Sequence, residues 1–104
     1  MQKDLELYEL VYLLNPNFTE KELGEKINFY RDFLTEMGSQ VMIQNRGKRN
    51  LSYSIRGFEA ANYIQMIYVG NEKVIKQLNL TLGRDTSVLR HLTTKVVNPP
   101  LIMY

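Results

Sequence analysis

Apolar residues are densest at 7–14, LYELVYLL, where both alternating sets are apolar apart from Glu9. A strand apolar on both faces belongs inside a sheet, and Asn15-Pro16-Asn17 closes the run with turn residues, so the pattern predicts a central strand. The period then changes. Thr19 stands three residues before Glu22, a spacing that lets each side chain satisfy the other's free backbone N–H at a helix start. A helix is therefore expected from about residue 20. Leu23, Ile27, Tyr30, Leu34 and Met37 step by three or four and draw one apolar stripe, with Gly38 as a left-handed terminator. Lys21, Glu25, Asp32 and Glu36 mark the opposite face as solvated.

Residues 40–44 read as a second strand, interrupted at 45–50 before the chain resumes or turns at 51–55. Periodicity leaves open a bulge in one long strand or a hairpin between two. Arg56-Gly57-Phe58-Glu59 reads as a loop, and 62–69, NYIQMIYV, as a strand with Ile64, Met66 and Tyr68 on one face. Tyr63, Gln65 and Ile67 share the other face, which polar Gln65 marks as open to solvent or a partner. Asn71 is a helix N-cap; Val74, Ile75, Leu78 and Leu82 form a second stripe, ended by Gly83. Val88 to Val97 extends as a last strand whose two sets are equally mixed, leaving its core face open. Pro99-Pro100 ends the sheet, and LIMY is a short apolar tail.

Strand, helix, strand, strand, helix, strand is the α+β, ferredoxin-like split βαβ order, with two helices on one face of a four-stranded antiparallel sheet. One domain is expected over 1–97 and a tail over 98–104. Because this arrangement hosts many activities, function has to come from particular residues.

The stretch with most chemistry is 46–56, RGKRNLSYSIR. Arg46, Lys48, Arg49 and Arg56 supply charge with no intervening acid, while Leu51, Tyr53 and Ile55 recur every second residue. Such alternation places those three against a core and Ser52, Ser54 and Arg56 toward an anion. Gly47 permits a bend or bulge just before it, so the segment reads as a basic hairpin tip leading into a half-buried strand. A solvated turn whose charges only keep the strand soluble is the plainer alternative.

Charge along the chain sharpens this picture. The net charge of +2 is too small to imply a polyanion, but residues 1–40 carry four basic and eight acidic side chains, and residues 41–104 carry nine and three. A bipolar molecule can set one face against a polyanion while the other stays in solvent or meets a basic partner. Chance segregation is the competing reading. With no cysteine and one histidine, His91, thiolate and multi-histidine metal sites are excluded, and neither metal nor cofactor is expected. No apolar run approaches a membrane span, and MQKDLELYEL resembles neither a signal nor a transit peptide. An intracellular protein without membrane contact or small-molecule substrate is expected.

Tyr8-Glu9, Asn15-Pro16, Gly38, GKRNLSYSI at 47–55, Asn62-Tyr63 and RDTSVLR at 84–90 occur in order. Together they resemble the bacterial and plastid family of ribosomal protein six of the small subunit, over essentially the whole chain. Ser52 stands where that family usually has alanine, and Asn50 where a basic residue is common. The resemblance implies a structural component without a reaction, binding small-subunit ribosomal RNA together with ribosomal protein eighteen, in a bacterial cytoplasm or a plastid stroma. Carried onto this sequence, it implies that Arg46, Lys48, Arg49, Arg56 and Arg90 approach phosphates or the partner. Arginine forks pair with phosphate oxygens and position RNA without reading bases. For Tyr53, register with Leu51 and Ile55 favours core packing over stacking; for Tyr63, on the open face, stacking or partner contact stands open.

ANYIQMIYV lacks the glycines and phenylalanines of the RNA-recognition motif, so phosphate and shape recognition is expected rather than single-strand readout on the sheet. Two readings of other classes compete. A small enzyme handling acyl phosphates would need a glycine-rich anion cradle after strand one, where NPNF stands, and His91 has no nearby acid in sequence. A homo-oligomeric regulator pairing its bare sheet faces is allowed and not demanded.

Overall fold

A computed structural model describes residues 5–96. Its elements are β1 (Glu6–Leu14), α1 (Glu20–Glu36), β2 (Val41–Ile55), β3 (Phe58–Gly70), α2 (Glu72–Arg84) and β4 (Val88–Lys95). The sheet has the order β2-β3-β1-β4 with every neighbouring pair antiparallel, so the apolar first strand is central as its composition requires. This is the expected ferredoxin-like arrangement. The expected tail, Pro99-Pro100 and LIMY lie outside the described residues.

Both helix starts follow from their caps. Thr19 N–H donates to Glu22 Oε1 at 2.9 Å, and Glu22 N–H to Thr19 Oγ1 at 3.1 Å. Asn71 Oδ1 accepts from Val74 N–H at 3.1 Å. Gly38 takes φ 91° after α1, a conformation that a side chain would resist. Gly83, expected to end the second helix, instead lies inside it. The helix runs on to Arg84 and stops at Asp85, whose side chain bonds the following turn.

The helix stripes cover one sheet face. Leu10, Tyr12, Leu14, Ile64, Met66 and Tyr68 meet Tyr30, Leu34, Leu78 and Leu82 in a core closed to solvent. Burying side chains of this size contributes about 1.5–3 kcal/mol each. Asp85 fastens the far end. Its carboxylate accepts from Tyr30 Oη at 2.7 Å, Ser87 Oγ at 2.6 Å and Ser87 N at 3.0 Å, and pairs with Lys26 Nζ at 2.9 Å. Burial alone would raise its pKa, but these donors outweigh burial and hold it at about 2. The Tyr30 hydroxyl is pushed up by burial and by the hydrogen bond to that carboxylate.

Three expectations change along β2 and β3. The basic stretch is no hairpin tip: β2 is a single 15-residue strand, and Arg46, Lys48 and Arg49 lie in its middle. The turn falls at Arg56-Gly57, where φ values of 52° and 85° give the two-residue geometry that matches strand twist. Phe58 and Glu59, read as loop, therefore belong to β3. Tyr53, expected in the core, is 68% exposed. At the other edge β4 ends at Lys95, although Val96 N–H still donates to Leu7 O at 2.8 Å; Val97 lies outside the described residues.

Candidate nucleic-acid interface

Bulges in β2 set where its cations go. Asn45 pairs with Ile64 and Gly47 with Tyr63, leaving Arg46 as the extra residue between consecutive β3 partners. Gly47 accommodates the kink at φ 87°, and Asn45 Oδ1 accepts from its N–H at 2.9 Å. Arg46 thus reaches the face opposite the helices, where its Nε donates to Gln65 Oε1 at 3.0 Å, while Gln65 Nε2 donates to Glu9 Oε2. The two polar interruptions noted in strands one and three are therefore one hydrogen-bonded chain across the open face. Its ordering orients the Arg46 guanidinium without neutralising it by direct contact with an acid.

The next cations separate by register. Arg49 pairs with Ala61 and lies over the Tyr63 ring, 5.4 Å from its centroid. That contact occupies Tyr63, which is half-buried, with the arginine. Lys48 pairs with Asn62, whose side chain turns to the helix side to donate to Asn15 O at 3.0 Å, so its register position is on the other face.

Beyond Asn62 the β2–β3 hairpin outruns β1 and closes over the open face. Leu51, Ile55, Phe58 and Tyr63 pack against Leu13, Ala61 and Leu89 as a second, smaller apolar cluster. Leu51 and Ile55 are thus partly buried, but not in the core beneath the helices. Arg56, at the turn, donates from Nη1 to Thr86 O at 3.3 Å, tying the hairpin end to the α2–β4 loop. Arg90 pairs with Leu13, beside this cluster. The structure consequently brings Arg49, Arg56, Arg90 and Tyr63 around one end of the sheet, with Arg46 farther along the open face and Lys48 behind it.

Arg46, Lys48, Arg49, Arg56 and Arg90 are all exposed, and among the described residues none has a carboxylate at ion-pair distance. Three other cations do: Lys26, Arg31 and Lys95. Unneutralised guanidinium and ammonium groups grouped on a rigid sheet can hold an RNA backbone, because each contact releases condensed counterions. The same open face carries exposed Met42, Val69 and Leu92, suited to protein contact. His91 pairs with Tyr12 on β4, and no group of three metal-ligating side chains occurs among the described residues.

The sequence model described as ribosomal protein S6 matches residues 7–95 of this chain. The chain belongs to the ribosomal protein S6 family. It is 39% identical over 93 residues to small ribosomal subunit protein bS6c of Guillardia theta, covering 88% of this chain and 97% of that one. Against small ribosomal subunit protein bS6 of Gloeothece citriformis it is 42% identical over 90 residues, covering 86% of this chain and 51% of the longer relative. The crystal structure of 30S ribosomal protein S6 from Thermotoga maritima superimposes with a TM-score of 0.84 over 89% of both chains at 17% identity, a likeness of fold. In this S6 family member the sequence singled out the cations but missed two features. The exposure of Tyr53 is hidden by an alternation that bulges interrupt. The Arg46–Gln65–Glu9 chain had a signal in its two out-of-pattern polar residues, but pairing them required the strand order.

Proposed function

We propose that this protein is a structural, non-catalytic constituent of the small ribosomal subunit. It binds small-subunit ribosomal RNA through Arg46, Lys48, Arg49, Arg56 and Arg90, with Tyr63 positioning Arg49. The observation that carries this reading is the gathering of exposed cations without acidic partners at one end of the sheet and along its open face. Phosphate contacts of this kind fix an RNA's position without base readout. Ribosomal protein eighteen of the small subunit is the protein partner, with Met42, Val69 and Leu92 offering an apolar surface on the open face. Its compartment is the bacterial cytoplasm or the plastid stroma, a choice in keeping with relatives from Gloeothece citriformis and Guillardia theta.

Fractionation of source-cell lysate on sucrose gradients at low and high salt tests the assignment. The chain should travel with small ribosomal subunits. Migration apart from them at both salt concentrations would overturn it.

A further inference from the structure

Tyr53 departs furthest from the burial that its pattern implies. Asn50 pairs with Ala60 and Ile55 with Phe58, so residues 51–54 of β2 stand opposite Glu59 alone, and the ladder gives them no partner in β3. Leu51 and Ile55 turn into the small cluster with Leu13, Ala61 and Leu89, whereas Tyr53 between them stays 68% exposed. An aromatic ring is thus presented at the crest of a bulge fixed on either side by packed residues. Its neighbours along the segment are polar or cationic: exposed Ser52 and Ser54, with Lys48 and Arg49 before them and Arg56 after.

On the reading that this end of the sheet binds ribosomal RNA, we propose that Tyr53 stacks on an unpaired nucleobase while Arg49 and Arg56 engage the flanking phosphates. Every base has a π-face that an exposed ring can cover, and the phosphates on either side of an extruded base match cations on either side of the ring. Bases inside an A-form helix offer no free face, so the ligand is a loop, bulge or junction nucleotide. An apolar protein contact would instead need apolar neighbours, and the other exposed large hydrophobics on the strands, Met42, Val69 and Leu92, belong to the strand-paired part of the sheet. This contact sits on the hairpin bulge, apart from the sheet strand where the sequence argued against base readout.

The chain has no tryptophan, so Tyr53→Trp provides a single reporter at the crest. In the presence of ribosomal protein eighteen, purified small-subunit ribosomal RNA should quench its fluorescence to saturation, and a fully paired RNA duplex should not. Tyr53→Leu should bind that ribosomal RNA about five- to a hundredfold more weakly, with the salt dependence of binding and the melting temperature unchanged, and Tyr53→Phe should bind like the original chain. Tyr53→Leu binding within about twofold of the original, or equal quenching by the duplex, would overturn the stacking contact. If the original chain binds in a salt-dependent way and only Arg46, Lys48 and Arg49 matter, stacking alone falls. If the original chain, with ribosomal protein eighteen present, does not bind ribosomal RNA, the RNA-binding reading falls with it.

Discussion

On the helix side of the sheet, Leu10, Tyr12, Leu14, Ile64, Met66 and Tyr68 are sealed by both helices; on the opposite side, the hairpin end covers little more than Leu13, Ala61 and Leu89. Residues of the first region are fully buried and free of formal charge. Those of the second are buried beneath a cover of only half-buried residues, Leu51, Ile55, Phe58 and Tyr63, on a bulged hairpin, with Arg49, Arg56 and Arg90 around them. Stability therefore resides chiefly beneath the helices, and the hairpin end carries cations that no carboxylate among the described residues neutralises. The small cluster still has a purpose in this division. It fixes the hairpin against the sheet and so holds the spacing of the cations, which would lower the ordering cost of the proposed RNA contact.

Substitutions can break that contrast, beginning with the largest effect. Leu78→Ala, in the sealed core, should destabilise by about 3–5 kcal/mol in urea unfolding, since neither sheet nor helices can collapse fully into the space. A change below about 1 kcal/mol would remove the distinction between the two sides. Asp85→Ala should cost about 1–3 kcal/mol by leaving the Tyr30 hydroxyl and Lys26 without their acceptor. The same carboxylate predicts a pH window. Its folded pKa of about 2 lies below the ordinary 3.8, so its stabilisation is complete above about pH 4 and disappears as pH falls toward 2. Denaturant midpoints across that range should drop in the original chain and drop less in Asp85→Ala.

Leu51→Ala sharpens the comparison, because this residue is only partly buried and packs in the lesser cluster. It should cost about 1 kcal/mol, less than the roughly 2–5 typical of fully buried leucines, with amide-exchange protection falling in the hairpin before the core. A cost equal to that of Leu78→Ala would merge the two clusters into one core.

How far the sequence carried the fold depends on how regular each element is. In α1, Thr19 and Glu22 made both cap bonds, and Tyr30 and Leu34 are buried as their spacing implies. The open set Tyr63, Gln65 and Ile67 is half-exposed as expected. Reading failed where the ladder loses its period. The bulge at Arg46 turned an expected tip into the middle of a strand, and the excess of residues 51–54 over Glu59 separated Tyr53 from Leu51 and Ile55. Gly83 misled because a helix tolerates an internal glycine at modest cost, while Asp85 provided the stop. For the interface, the cations were legible as a basic run and as part of the motif at 84–90. Their convergence was not, since it depends on Arg56 reaching Thr86 O and on Arg90 lying beside Leu13, contacts between segments distant in sequence.

The most direct test of the division between a stabilising side and a proposed binding side is filter binding of small-subunit ribosomal RNA, with ribosomal protein eighteen present, across a salt series, comparing the original chain with Arg46, Lys48 and Arg49 all changed to alanine, alongside thermal melts of both. Exposed charges contribute little to folding, so the melts should agree to within about 0.5 kcal/mol. Affinity should fall at least about tenfold, and the slope of log affinity against log salt should become shallower by about 0.7–0.9 for each phosphate that the variant no longer neutralises. Unchanged affinity and slope, or weaker binding that merely tracks unfolding of the variant, would contradict the account.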